Sequence, residues 1–253
     1  MFYPTRVDYQ GPAKLGVETE DIYLSSSDHV MLHGWRVPAV GETRGSVVFL
    51  HGNGENISSH IGSVYWLAEH GYEVFLFDYR GYGRSTGTAE IHGVMQDAQR
   101  MIAYAQEQAL SAGHGMTVLG HSMGGSIAIY ALAQLPDKSG IKGLITVSAF
   151  SDYHLITRDA LANHWLTQPL RWPLSFLISN RYQPADAIGK LSPIPVFIIH
   201  SEADDVVPAY HAKYLFDLAG LPRFYEQLPG AHNQVLTLRQ NHERFLEILN
   251  TLH

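Results

Sequence analysis

Several short runs of this chain are mostly apolar on both faces, and a stretch of helical periodicity follows nearly every one of them. The runs are Ser46–His51 (SVVFLH), Tyr72–Asp78 (YEVFLFD), Met116–Gly120, Ile141–Ser148 and Val196–His200. A strand that is apolar on both faces has to be covered on both, and strand–helix alternation sets successive strands parallel. Helical segments are read at Ile57–Glu69, Val94–Leu110, Gly124–Leu135, Ala209–Ala219 and Leu236–Leu252, with a last strand at Arg223–Gln227. Upstream, Glu20–Ser25 and Val30–Val37 flank the turn SSDH and read as an antiparallel hairpin. The fold class expected is therefore α/β, a mostly parallel central sheet with helices on both faces.

One stretch breaks the alternation. Between Ile141–Ser148 and Val196–His200, residues 152–191 carry Trp165, Leu166, Leu170, Trp172, Leu174, Phe176 and Leu177, with prolines at 169, 173 and 184. An excursion of that length between two core strands reads as a small helical cap rather than a plain loop. The chain is expected to be one domain, with a core of 18–151 and 192–253 and the cap at 152–191; 253 residues suffice to bury such a core.

Composition excludes several function classes. The formal net charge is −7 with no basic run, so no nucleic-acid partner is expected. There is no cysteine, which removes disulfides, thiolate metal sites and a cysteine nucleophile. The fifteen histidines form no HExxH pair and no compact zinc-type cluster, so no metal is expected. The opening, MFYPTRVDYQGPAKLG, has neither the basic nor the apolar region of a secretory leader, and no segment approaches the about 20 apolar residues of a membrane span. As it stands, the sequence is expected to be soluble and cytoplasmic.

The chemistry centres on GHSMGG, Gly120–Gly125, which lies between a strand and a helix. A sharp strand-to-helix turn lifts its apical side chain above the sheet, strains that residue's backbone and crowds its neighbours. Glycines at Gly120 and Gly124 relieve the crowding, and the helix N-terminus favours negative charge beside Ser122. Ser122 is the expected nucleophile. In this arrangement acid and base follow in chain order, each in a loop after a late strand. His232, in the loop after FYEQLP, is the expected base, and the acid is Asp204 or Asp205 in SEADDVVP. The backbone N–H of Met123, next to the nucleophile, and that of Asn53 in HGNGEN are the expected oxyanion donors.

Taken together, HGNG at His51–Gly54, FDYRGYGRS at Phe77–Ser85, GHSMGG, HSEADDVVP at His200–Pro208 and PGAHN at Pro229–Asn233 resemble the α/β-hydrolase family over essentially the whole chain after about residue 18. Within it, the chain is similar to the bud-emergence-type hydrolases and the related depalmitoylases. The resemblance implies the α/β-hydrolase fold and a cofactor-free Ser-His-Asp hydrolase. Aligned on His200, Val207 and Pro208, it selects Asp204 over Asp205. It also implies that the Asp78–Gly83 run is structural; His51 and His121 are read likewise as scaffold. The expected substrate is a small-molecule or lipid-like carboxylic ester or thioester with an apolar acyl or aryl part; Trp165, Trp172 and Phe176 of the cap are the residues expected to hold it, the alternative being that they only pack the cap onto the core. A depalmitoylase or lysophospholipase, or a non-catalytic binding scaffold, stands as the alternative. Members of this branch often carry an N-terminal membrane anchor, so membrane contact is expected only where such a segment has been removed from this sequence.

Overall fold

The alternation of apolar runs and helices folds as a sheet with a hydrophobic core on each face. The structure is a computed structural model that describes residues 2–9, 11–162 and 181–253. Its strands are β1 Glu20–Ser25, β2 Met31–Val37, β3 Gly45–Leu50, β4 Tyr72–Phe77, β5 Met116–His121, β6 Ile141–Val147, β7 Val196–Ala203 and β8 Arg223–Ala231. They form one eight-stranded sheet in the order β1-β2-β4-β3-β5-β6-β7-β8. The β1–β2 hairpin is antiparallel and β2 meets β4 antiparallel, while every pair from β4 to β8 is parallel. The longer helices among the described residues are α1 Ile91–Ser111, α2 Met123–Gln134, α3 Tyr153–Ala162, α4 Tyr210–Leu218 and α5 Arg239–Leu252.

Period-2 alternation divides the strands between the two cores. From β3, Val48 and Leu50 join one cluster with Phe75, Phe77, Val118 and Ile198, covered by α1, α2 and α4. Val47 and Phe49 join the other, with Val74, Leu76, Leu119 and Ile199, covered by the segment 57–68 and by Phe245, Ile248 and Leu249 of α5. Both faces of the central strands are therefore covered, as their uniform hydrophobicity requires.

Some bounds move by a few residues: α1 begins at Ile91 rather than Val94, and β7 and β8 run on to Ala203 and Ala231. Two further differences have a local cause. Ile57–Glu69 is not one helix but a short α-turn, Ile57–His60, followed by 3₁₀ turns at Ile61–Ser63 and Tyr65–His70. Ser58, Ser59, Gly62, Ser63 and Val64 are weak helix formers, and the chain leaves helical geometry at Val64 (φ −137°). The last helix starts at Arg239 rather than Leu236, because residues 232–237 are consumed by the turns that present His232. Of the 152–191 stretch, α3 lies at one end. At the other, Ala187, Ile188 and Leu191 are buried in the main core.

A buried ion pair ties the hairpin to this frame. Arg80, in the loop after β4, donates through its backbone N–H and Nε to Asp97 Oδ2, each at 2.9 Å, and through its terminal nitrogen to Oδ1 at 2.9 Å. Ser26 in the β1–β2 turn adds a 2.6 Å bond to the same carboxylate. Asp97 is fully buried on α1, so its removal takes away the principal partner of the guanidinium and leaves only the more distant, exposed carboxylates of Glu90 at 3.6 Å and Asp28 at 4.0 Å. Asp97→Ala is expected to destabilise the fold by about 3–5 kcal/mol, read as a fall in the urea midpoint.

Candidate active site

β5 ends at His121, and the chain turns at Ser122 into α2. Ser122 has φ 54° and ψ −121°, an unfavourable conformation for a residue with a side chain. Close packing holds it there. A Cβ at Gly120 would lie 2.6 Å from Gly124 O and from Gly125 Cα, one at Gly124 would collide with the Leu50 and His51 carbonyls, and one at Gly125 would lie 2.8 Å from Ala149 Cβ. The elbow thus needs three glycines, and Gly125 is the one the motif did not reveal. Ser122 N–H donates to Val147 O on β6 at 2.7 Å.

The structure brings Ser122, His232 and Asp204 together. Ser122 Oγ lies 3.0 Å from His232 Nε2, and His232 Nδ1 lies 2.9 Å from both carboxylate oxygens of Asp204. Nδ1 therefore carries the proton and donates to the carboxylate, leaving Nε2 to accept from the Ser122 hydroxyl. Asp204 Oδ1 also accepts from the Val206 and Val207 N–H groups at 3.0 and 2.8 Å. Burial acts to raise the Asp204 carboxyl, but the hydrogen bonds from His232 and Val207 outweigh it and bring it down to about 2. Asp205, its neighbour, is exposed and outside this network.

Further residues hold the relay in place. His121 Nε2–H donates to the His232 carbonyl at 3.0 Å, and burial pushes His121 down to about 3, so it stays neutral. His200 Nε2–H donates to Val207 O at 3.0 Å, bracing the loop that carries Asp204. Ser148, fully buried at the end of β6 with φ 52°, accepts the Ser201 N–H at 3.3 Å and contributes to the low Asp204 value. The bonds of His121 and Ser148 had no local sequence signal, because His121 and His232 lie 111 positions apart and Ser148 and Ser201 lie 53 apart, whereas His200 and Val207 are close together within HSEADDVVP.

Two other acid–base groups lie nearby without joining the relay. His51 is fully buried, donates from Nδ1 to Gly52 O at 2.8 Å and is held well below its ordinary value by burial. Burial pushes the Asp78 carboxyl up to about 7, against the pull of N–H groups that include that of Ile57 at 2.9 Å. Asp78 fixes the start of the segment beginning at Ile57 and faces Gly83, where any Cβ would strike its carboxylate.

Met123 opens α2, so its N–H has no partner one turn back within the helix. Met123 and Asn53 both line a cleft of about 340 Å³. Its walls are Tyr3, Phe150 and one face of α3, where Tyr153, Ile156, Thr157, Ala160 and Leu161 recur at helical spacing. Trp165, Trp172 and Phe176, expected to hold the substrate, lie outside the described residues.

The sequence model of the family described as serine aminopeptidase, S33, matches residues 41–192, more than half of the chain. The chain belongs to the S33 family of α/β-hydrolases. The match takes in Ser122 and the 51–56 loop and ends before Asp204 and His232. Among curated relatives, this S33 chain is 32% identical to the YfhR protein of Salmonella typhi over 235 residues, covering 88% of the chain and 76% of the relative. It is 28% identical to the protein bem46 of Schizosaccharomyces pombe over 225 residues, covering 85% and 71%. Its fold matches that of the Pyrococcus furiosus esterase Pf2001 with a TM-score of 0.77 at 21% identity, over 100% of this chain and 98% of the other. Among the described residues no helix is long and apolar enough to cross a membrane.

The depressed Asp204 value has a consequence for stability. An ionised Asp204 contributes stability in full above the ordinary carboxyl range, and that contribution is lost as pH falls towards about 2. The stability difference between wild type and Asp204→Asn is expected to be greatest near neutrality and to shrink between about pH 4 and pH 2, followed by urea titration at each pH.

Proposed function

We propose that this S33-family hydrolase cleaves carboxylic esters with an apolar acyl part by nucleophilic acyl transfer at Ser122. The observation that carries this reading is the unbroken Ser122–His232–Asp204 hydrogen-bond relay beside an apolar cleft. Ser122 Oγ attacks the ester carbonyl as His232 Nε2 takes its proton, and Asp204 stabilises the imidazolium that results. The carbonyl oxygen becomes an oxyanion facing the N–H groups of Met123 and Asn53, at the positive end of α2. Collapse breaks the ester C–O bond, and His232 returns the proton to the departing alkoxide as the alcohol leaves. Water, deprotonated by the same imidazole, then hydrolyses the acyl-enzyme. No cofactor enters these steps.

The choice of ester rests on the cleft. None of its described lining residues is charged, so among them there is no carboxylate for the α-ammonium group that an aminopeptidase has to hold. The α3 face instead offers aliphatic and aromatic contact, suited to an acyl chain. The likeness to an esterase in fold is in keeping with this reading.

With p-nitrophenyl esters, kcat/KM is expected to rise at least several-fold from acetate to octanoate, since each buried methylene is worth about 0.8 kcal/mol. Ser122→Ala is expected to abolish turnover and labelling by a fluorophosphonate. A flat acyl profile would count against the apolar cleft as the acyl site, and labelling that survives Ser122→Ala would remove Ser122 as nucleophile. In the same assay Asp204→Ala is expected to lose at least about a thousand-fold in kcat, whereas Asp205→Asn stays near wild type. The reverse ranking would reassign the acid.

A further inference from the structure

The segment Phe2–Tyr9 has no fully buried residue, yet its backbone is bonded along its length to the loop that follows β3. Tyr3 N–H donates to Asn53 Oδ1 at 3.0 Å, Pro4 bridges in parallel to Glu55, and Thr5 N–H meets Glu55 O at 3.4 Å. In return, Asn56 Nδ2 donates to Thr5 O at 3.1 Å and to Val7 O at 2.8 Å. Tyr9 N–H donates to Ser58 Oγ at 2.9 Å, and Gly83 N–H donates to Thr5 O at 2.9 Å. A segment with no fully buried residue is thus tied mainly to the loop after β3, with one further bond to the loop after β4.

The loop needs external support. Gly54 and Glu55 are consecutive residues at positive φ, 84° and 56°, so the backbone there follows neither helix nor strand. Its central fixture is one oxygen. Asn53 Oδ1 accepts from Tyr3 N–H, from Gly54 N–H at 3.0 Å and from Tyr82 O–H at 3.0 Å. The N-terminal segment, the turn itself and the loop after β4 therefore meet at the side chain of Asn53, which lines the cleft and whose backbone N–H is the second oxyanion donor of the proposed mechanism. Tyr3 also lines that cleft, although 70% of it is exposed.

We propose that Phe2–Tyr9 is a working part of the site. Its Tyr3 N–H, acting through Asn53 Oδ1, orients the Asn53 peptide towards the oxyanion, and its Tyr3 ring forms the outer wall of the acyl cleft. Tyr3 and the Asn53 side chain are positioning residues, and the Tyr3 ring sets acyl specificity. This rests on the ester-hydrolase reading of Ser122.

Two substitutions at one position separate the two roles. Tyr3→Pro removes the N–H donor at an exposed site that already precedes Pro4, whereas Tyr3→Ala keeps the donor and removes the ring. Each is assayed with p-nitrophenyl acetate and octanoate, with active sites counted by fluorophosphonate. Tyr3→Pro is expected to lower kcat about ten-fold on both esters with KM for acetate unchanged, a fraction of the loss from removing an oxyanion donor outright. Tyr3→Ala is expected to lose less acetate kcat than Tyr3→Pro, while its KM for octanoate rises about three-fold or more. If Tyr3→Pro loses its cooperative melt, Thr5→Pro, which removes the N–H facing Glu55 O, supplies the same readout. Wild-type kcat in the proline variants, or an equal loss of acetate turnover in Tyr3→Ala, overturns the positioning role. An unchanged octanoate KM in Tyr3→Ala overturns the specificity role. A wild type inert to both esters and to fluorophosphonate overturns instead the reading of Ser122 itself.

Discussion

The site depends on one close contact, the seating of α2 against the ends of β3 and β5. At Gly124 the helix backbone approaches the Leu50 and His51 carbonyls so closely that no side chain fits between them. At Gly120 the strand approaches Gly124 and Gly125 in the same way. This packing holds Ser122 at φ 54°, a conformation that costs of the order of 1–3 kcal/mol and persists only where the surroundings over-determine it. The strain has a definite product. It sets the serine hydroxyl beyond the end of the sheet, with the first N–H groups of α2 beneath it, before any substrate arrives. Burial of the two cores on either face of β3 and β5 supplies the stability against which this local cost is set.

Around that serine the charges are sorted by burial. His51 and His121 are fully enclosed and held neutral by desolvation, each spending a ring N–H on a backbone carbonyl. His232 alone of these rings has a carboxylate on one nitrogen and a hydroxyl on the other. The neutral rings therefore work as geometry, fixing the Gly52 turn and the His232 backbone, and leave the proton traffic to one imidazole. Asp204 completes the division, since a carboxyl brought down to about 2 would not compete for the proton that His232 takes in the proposed acyl transfer.

How much of this could be read from the chain follows from the range of each interaction. Strands β3 to β7 were legible because a both-faces-apolar run has few other homes, and the elbow because its glycines sit within six residues of the serine they serve. The choice of Asp204 over Asp205 was not legible from spacing. It came from resemblance to a family pattern, and in the structure one carboxylate meets His232 while its neighbour faces solvent. Ser148 and Tyr3 were missed as supports, and His121 was read as scaffold without its partner, because those partners are 53, 50 and 111 positions away, beyond any local pattern. The 57–69 segment was misread for the opposite reason. Its apolar residues have helical spacing, but serine, glycine and valine between them weaken the helix until tertiary contacts choose tighter turns.

The two walls of the cleft are held differently from its floor. The serine, the relay and the α2 terminus are fastened by core packing, whereas α3 has only Tyr153 fully buried. Polar ties hold the rest of α3. Asp159 accepts from Tyr210 O–H at 2.5 Å and from His211 Nε2 at 3.1 Å. Ser151 N–H donates to His211 Nδ1 at 3.1 Å, so Nδ1 is bare and the ring proton sits on Nε2, directed at Asp159. The Phe2–Tyr9 segment is held mainly by hydrogen bonds to the 53–58 loop and to Gly83, with partial packing of Phe2. Elements with little buried apolar area open locally at a smaller free-energy cost than the core does. In the proposed ester hydrolysis, the molecule is accordingly stiff where charge would be stabilised without reorganisation and lightly fastened where an acyl chain would enter and leave. That ordering of stiffness is what electrostatic preorganisation in a cleft with movable walls requires.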